Sequence, residues 1–390
     1  MQSLKYKATN RFKLLDFLPH SWKSFYKKEE NTSIIILRDF IIMELLLDNI
    51  IFSLQKAGGI SVVWKEHLKR LSGYNCKFIE YNNAKDNLFR QELDIPVSQI
   101  IQLSSAYLPI KRYLNPTVDC SEDVLFHSSY YRIVKGARNV TTVHDFTYEY
   151  YVRGIKQKIH SWQKKQAILY SDKIICVSQN TRDDLLRFLP EVNPDKLEVV
   201  YNGVDEIFCT LSVNKRVDNL PYEKEEYFLF VGDRFALYKQ FDLAISVAKR
   251  TKKPLVVVGK PLVEVEKMKL KGVEYKVLSG VSSAVLNILY NNAFCLLYPS
   301  LYEGFGIPVI EAQKAGCPVI AGANSSISEV IGTGGIALDK LDVDNIIDAM
   351  TVLDRGKYRN EVINLGFENA KRFSWDKTYD QTNNIYKSLI

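Results

Sequence analysis

Two glutamates eight residues apart, Glu303 and Glu311, bracket the run Glu303-Gly304-Phe305-Gly306-Ile307-Pro308-Val309-Ile310-Glu311. The apolar stretch 294–298 before it predicts a buried strand, which Pro299 and Ser300 end. Gly304 and Gly306 then expose backbone N–H groups, and Pro308 falls where the first turn of a helix begins. First-turn N–H groups lack intrahelical partners and sit at the positive end of the dipole, so such a turn attracts anions. A carboxylate on either side can accept hydrogen bonds from hydroxyls. Phosphate donors flanked by hydroxyl acceptors suit a nucleotide-sugar. The plainer reading is a strand-turn-helix in which Glu303 caps the helix and Glu311 is solvated.

Other groups could share that chemistry. Val231-Gly232-Asp233-Arg234 follows a predicted strand, and Lys239 comes five residues after Arg234. Two cations beside a Gly turn suit a diphosphate, Arg as a fork and Lys as a point charge, although loop cations are ordinarily just solvated. Gly58-Gly59 reads as a loop where backbone approaches phosphate, or as an ordinary tight turn. His144-Asp145 and His127-Ser128 each end a strand; a neighbouring Asp can orient an imidazole, and a structural hydrogen bond is the alternative. Asp342-Val343-Asp344 precedes a helical pattern and reads as a helix N-cap, and the five histidines show no metal-ligand spacing. No metal site is expected.

The elements that must position these residues alternate. Strands are expected at 44–52, 124–126, 140–143 and 173–177 in the first half. In the second they fall at 227–231, 254–258, 275–278, 294–298, 318–321 and 335–338. A helix is expected over 60–71. Apolar strands separated by helices imply parallel, doubly wound α/β sheets with ligands at the carboxyl ends of the strands. The alternation lapses over 206–226, which is polar and carries Pro221. The domains read from this are an extension at 1–42, a first Rossmann-like domain at 43–205 and a linker at 206–226. A second Rossmann-like domain follows at 227–372, and then a terminal helix at 373–390. The extension is Lys-rich, with Phe12, Phe17, Trp22 and Phe25. It is a membrane or interface segment, or Met43 is the true start.

A chain of 390 residues with 46% hydrophobic and 25% charged residues suits a two-domain globular enzyme. No apolar run is long enough to span a bilayer, and no secretory signal is evident. The six cysteines form no C-x-x-C pair, which suits reduced structural thiols in a cytoplasmic protein. The net charge of +7 is uneven: residues 151–170 carry Arg153, Lys156, Lys158, Lys164 and Lys165 and no acidic residue. Ile155, Ile159 and Trp162 recur there at helical spacing. Either this segment lies on an anionic membrane surface, or its apolar residues pack inward beneath solvated lysines. No aromatic-basic motif supports nucleic-acid binding.

Taken together and in order, Gly58-Gly59-Ile60, His144-Asp145, Val177-Ser178, Asn202-Gly203-Val204-Asp205, Gly232 with Arg234 and Lys239, and the Glu303–Glu311 pattern resemble retaining glycosyltransferases of family 4, in particular bacterial mannosyl and surface-polysaccharide transferases. The resemblance covers roughly residues 44–375. It implies the GT-B fold, two Rossmann-like domains facing a cleft with the last helix crossing back. It further implies that Arg234 and Lys239 hold the donor diphosphate and that Glu311 accepts from the ribose. Glu303, with the N–H groups of Gly304, Phe305 and Gly306, would hold the hexose. Gly59 would approach the phosphates, and His144 would stand at the reacting centre. The expected reaction needs no metal or cofactor: a hexose passes from GDP-mannose or a UDP-sugar to a glycan or lipid-linked oligosaccharide in O-antigen or capsule synthesis. That places the enzyme in the cytoplasm or at the inner face of the membrane. The alternatives are a nucleotide-sugar epimerase of the same fold and a non-catalytic nucleotide-sugar-binding protein.

Overall fold

The computed structural model describes residues 44–72, 74–118, 120, 123–212, 215–218 and 220–389. The extension read at 1–42 and Met43 lie outside the described residues. Thirteen strands form two sheets among them. The first sheet contains β1 (Glu44–Asp48), β2 (Asn75–Tyr81), β3 (Ile100–Leu103), β4 (Val124–Ser128), β5 (Arg138–Val143), β6 (Lys173–Cys176) and β7 (Leu197–Val199), in the order β3-β2-β1-β4-β5-β6-β7. The second contains β8 (Phe228–Val231), β9 (Leu255–Val258), β10 (Tyr275–Leu278), β11 (Cys295–Tyr298), β12 (Val319–Gly322) and β13 (Ile336–Leu338), in the order β10-β9-β8-β11-β12-β13. Every pairing is parallel. Parallel sheets need cover on both faces, which is why β8, β9 and β11 are continuous apolar runs rather than alternating ones. Separate buried clusters lie on the two faces of the second sheet, one around Leu229, Val256 and Val309 and the other around Phe230, Val257 and Ile320.

The helices that build the site are α1 (Gly59–Arg70), α2 (Thr147–Tyr151), α3 (Ile155–Tyr170), α4 (Gln179–Phe188), α5 (Ile307–Lys314), α6 (Ile327–Ile331) and α7 (Trp375–Ser388). α7 starts at Ser374, whose hydroxyl accepts from the Lys377 N–H. It then crosses back to the first domain and packs on α1. There the Tyr386 hydroxyl lies 2.8 Å from His67 Nε2 and 2.5 Å from His127 Nδ1. Gly203 accommodates the crossing: a Cβ there would stand 2.2 Å from the Trp375 nitrogen.

Buried polar networks fix the carboxyl ends of β1 and β2. Asp48, at the end of β1, accepts from Arg132 Nε and Ser128 Oγ, each at 2.7 Å. Glu80 in β2 accepts from Arg90 Nε at 2.6 Å and Asn49 Nδ2 at 2.7 Å. β2, β3 and β7 were not expected from the sequence. In β2 the inward Glu80 interrupts the apolar signal, while β3 and β7 are short and lie at the sheet edges. The expected first strand ends early, because Ile51–Leu54 turns into a short helix.

Candidate active site

The Glu303–Glu311 run leaves β11 as a tight turn and enters α5, with Gly306 in a left-handed conformation (φ 102°) at the N-cap and Pro308 in the first turn. A left-handed N-cap costs glycine little and other residues more. Gly304 is constrained differently, because a Cβ there would lie 1.7 Å from the carbonyl oxygen of His144. The turn of the second domain is thus pressed against the end of β5 in the first, and the two domains meet at this point.

Lys239 and Glu303 come together. Nζ of Lys239 lies 2.5 Å from Glu303 Oε1 and 3.4 Å from the Tyr298 hydroxyl. The Lys239 loop closes as a 3₁₀ turn, Leu237–Lys239, with Gln240 left-handed. The Glu303 N–H donates to Ser325 Oγ at 3.0 Å, and the Ser326 hydroxyl lies 2.8 Å from Glu303 O and 3.0 Å from Phe305 O. These serines were not read from the sequence. They follow β12 as a polar pair before α6, and that position is their one signal.

Arg234 stands apart from this pair. Its guanidinium forms a two-point ion pair with Glu266, at 2.7 and 3.2 Å, and donates to the carbonyl of Lys260 at 2.8 Å. Nη1 is buried without a partner, and a Cβ on Gly259 would meet it at 2.9 Å. The sequence suggested a free cation beside Lys239; what is left of Arg234 for a ligand is one N–H edge.

Glu311 is half-buried on α5, and its carboxylate accepts from the Tyr290 hydroxyl at 3.0 Å. Burial pushes its pKa up to about 7, against the Tyr290 hydrogen bond, and Asp205 adds to the rise. His144 is partly buried beside the turn. Burial pushes its pKa down to about 4 despite Asp145, so the imidazole is neutral at physiological pH. His144 lines a partly open cavity together with His67, His127, Thr142, Asn202 and Tyr379 among others. Gly59 opens α1, with no atom within 4 Å of where its Cβ would be, so that loop offers open backbone.

No three His, Cys, Asp or Glu side chains gather as metal ligands among the described residues. Asp342 accepts from the Asn345 N–H at 2.9 Å as the cap of its helix, as the sequence suggested. Its neighbour Asp344 pairs with Arg250.

Helix α3 bears on one of the two readings of residues 151–170, the inward packing of its apolar residues. Ile155 (77% exposed), Ile159 and Trp162 (60%) face outward, so they do not pack inward. Lys164 is the one that turns in: it is buried, pairs with Glu149 at 2.8 Å, donates to the carbonyl of Asp145 at 2.9 Å and lies over the Phe146 ring. The basic outer face is therefore Arg153, Lys156 and Lys158, with Lys165 tied to Glu191. Among the described residues no helix is long and apolar enough to cross a membrane.

The chain is similar to known glycosyltransferases. The family model "Glycosyltransferase Family 4" matches residues 101–207, and "Glycosyl transferases group 1" matches residues 212–368. The chain is 39% identical over 113 residues to the O-antigen chain mannosyltransferase B of Escherichia coli, a stretch covering 29% of this chain and 30% of that protein. It is 30% identical over 251 residues to the O-antigen chain mannosyltransferase RfbU of Salmonella typhimurium, covering 60% of this chain and 68% of that one. Among solved structures, sucrose-phosphate synthase from Thermosynechococcus elongatus superposes with a TM-score of 0.71 at 16% identity, over 89% of this chain and 99% of that one. Anabaena HepE, solved with UDP and glucose, gives 0.67 at 16% identity, over 89% and 100%. These likenesses show the two-domain GT-B fold. With two family models meeting near the junction of the sheets and a relative matched over two thirds of its length, the chain belongs to glycosyltransferase family 4.

Proposed function

We propose that this protein is a retaining hexosyltransferase that moves a hexose from a nucleotide-sugar, GDP-mannose or a UDP-sugar, to a glycan or lipid-linked oligosaccharide of a bacterial surface polysaccharide. The observation that carries the reading is the Lys239–Glu303 pair on the Gly304 turn, at the point where the two domains touch. A cation and a carboxylate 2.5 Å apart can separate onto the two halves of a nucleotide-sugar, Lys239 to the diphosphate and Glu303 to sugar hydroxyls. The names of the O-antigen mannosyltransferase relatives support the polysaccharide acceptor and favour mannose.

In the reaction the bond from the sugar C1 to the phosphate oxygen breaks and a bond from C1 to an acceptor hydroxyl oxygen forms. The hydroxyl proton passes to the departing phosphate. Lys239, the Arg234 Nη1 edge and the first-turn N–H groups of α5 would stabilise the growing phosphate charge without a metal. Glu303 is engaged by Lys239, which suits a binding role rather than a nucleophile, so attack comes from the face the phosphate leaves. His144, neutral, would exchange hydrogen bonds with the hexose near C1. Glu311 would take the ribose hydroxyls. The outward face of α3, with Ile155, Ile159 and Trp162 among Arg153, Lys156 and Lys158, would rest on an anionic membrane that presents the acceptor. Product analysis by NMR tests the central step: the new linkage keeps the donor's anomeric configuration. Inversion, or a glycosyl adduct trapped on any side chain, would contradict it.

A further inference from the structure

The turn that carries Glu303 is held from both domains, and in the first domain helix α4 supplies several of the contacts. That helix opens at Ser178, whose Oγ accepts from the Thr181 N–H at 3.0 Å. Thr181 Oγ1 donates to the carbonyl of Gly304 at 3.1 Å. Three residues on, Asp184 accepts from the Tyr302 hydroxyl at 2.8 Å and from the Tyr150 hydroxyl at 2.6 Å. The Tyr302 oxygen also accepts from the Phe146 N–H at 3.0 Å. Two first-turn N–H groups of α4, those of Gln179 and Asn180, donate across the domain boundary to the Glu329 carboxylate at 3.0 and 2.9 Å. The Tyr201 hydroxyl donates to the same carboxylate at 2.9 Å.

Glu329 lies on α6, whose preceding serines, Ser325 and Ser326, hold the backbone of Glu303 and Phe305. The contacts therefore close a circuit: from the donor turn through Ser325 and Ser326 to α6, through Glu329 to the N-terminus of α4, and through Thr181 back to Gly304. A carboxylate is the natural occupant of a helix N-terminus, since it satisfies orphan N–H groups and meets the positive end of the dipole. Here that carboxylate comes from the opposite domain, so the helix is fully capped only when the domains are closed.

We propose that Glu329 is a positioning residue: seated on the N-terminus of α4, it holds the closed arrangement in which the Gly304 turn lies against His144. Thr181 and Asp184 complete the hold. The proposal rests on the transferase reading above for its kinetic consequence, but not for its structural one. Displacing a reactive group by about 1 Å costs on the order of 100-fold in rate, and Glu329 sets that displacement without touching donor or acceptor.

The test compares Glu329→Ala and Glu329→Gln with the parent protein by steady-state kinetics, GDP and UDP binding, and small-angle scattering. Glu329→Ala is expected to bind the nucleotide as the parent does, to lose turnover on the order of 100-fold and to show a larger radius of gyration. Glu329→Gln keeps one acceptor oxygen and recovers part of the turnover. Thr181→Val, which leaves the helix N-terminus intact, shifts the same quantities less and stands in if Glu329→Ala fails to fold. Parent-level turnover in both Glu329→Ala and Thr181→Val would overturn the proposal. So would a loss of nucleotide affinity equal to the loss of turnover with unchanged scattering. If the parent protein turns over no nucleotide-sugar, the transferase reading fails, while the scattering comparison still decides the latch.

Discussion

Glu303 and Glu311 are the same residue type at the two ends of one motif, and their surroundings separate them. Glu303 is paired with Lys239, whereas Glu311 has no cation beside it, accepts from the Tyr290 hydroxyl and is pushed up to about 7 by burial, with Asp205 adding to the rise. A hydroxyl donor favours the ionised form, so ribose binding should pull the Glu311 pKa down and release a proton near neutral pH. Calorimetry of nucleotide binding in buffers of different ionisation enthalpy should show that release, with affinity rising as pH goes up through 7; Glu311→Gln should bind more weakly and lose the pH dependence. Lys239→Ala should cost about 2–4 kcal/mol of transition-state stabilisation, read as a fall in kcat/KM. Arg234→Ala carries a second effect. It strands Glu266 in a buried site, so it should lower stability by about 3 kcal/mol in a denaturant titration; Lys239→Ala leaves the nearly as buried Glu303 without its cation and should lower stability too. The types and spacing of these residues were legible in the sequence. Their partners were not, because Lys239 finds Glu303 from 64 positions away and Arg234 finds Glu266 from 32, distances that only the closed sheet spans.

At the scale of elements, apolar runs located most of the strands, since a parallel sheet covered on both faces is written as continuous hydrophobic sequence. The same rule hid β2, whose Glu80 is buried against Arg90. On α3 the helical period was legible but its phase was not. The sequence counted Lys164 among the surface cations, yet it turns inward to Glu149 and Phe146 while Trp162 turns out. Flotation with anionic liposomes should therefore fall when Lys156 and Lys158 become Gln, and again when Trp162 becomes Ser. Lys164→Gln should lower the melting temperature without a specific effect on flotation. Equal flotation of the parent and the Lys156/Lys158/Trp162 variant would remove α3 as the membrane face.

At the scale of the molecule, the contacts that join the domains include the Glu329–α4 seat and the crossing of α7 back onto α1. The second is built on imidazoles kept neutral by burial, with His67 near 4 and His127 well below its ordinary value. The unfolded chain takes up protons first as pH falls from about 6.5, so stability should decline between there and pH 4. Glu311, whose raised pKa favours the folded state at lower pH, opposes this, but His67, His127, His144 and His160 outnumber it. Thermal melts across that range should show the decline. On the proposed function, Lys239 and Glu303 would part to receive the two halves of a nucleotide-sugar. The direct measurement is turnover of a panel, GDP-mannose and UDP-hexoses, by the parent protein and by Lys239→Ala, following release of nucleoside diphosphate. The account predicts release from at least one member by the parent, collapsing in the variant while the fold persists. Equal release by both proteins, or none from any member, would contradict it.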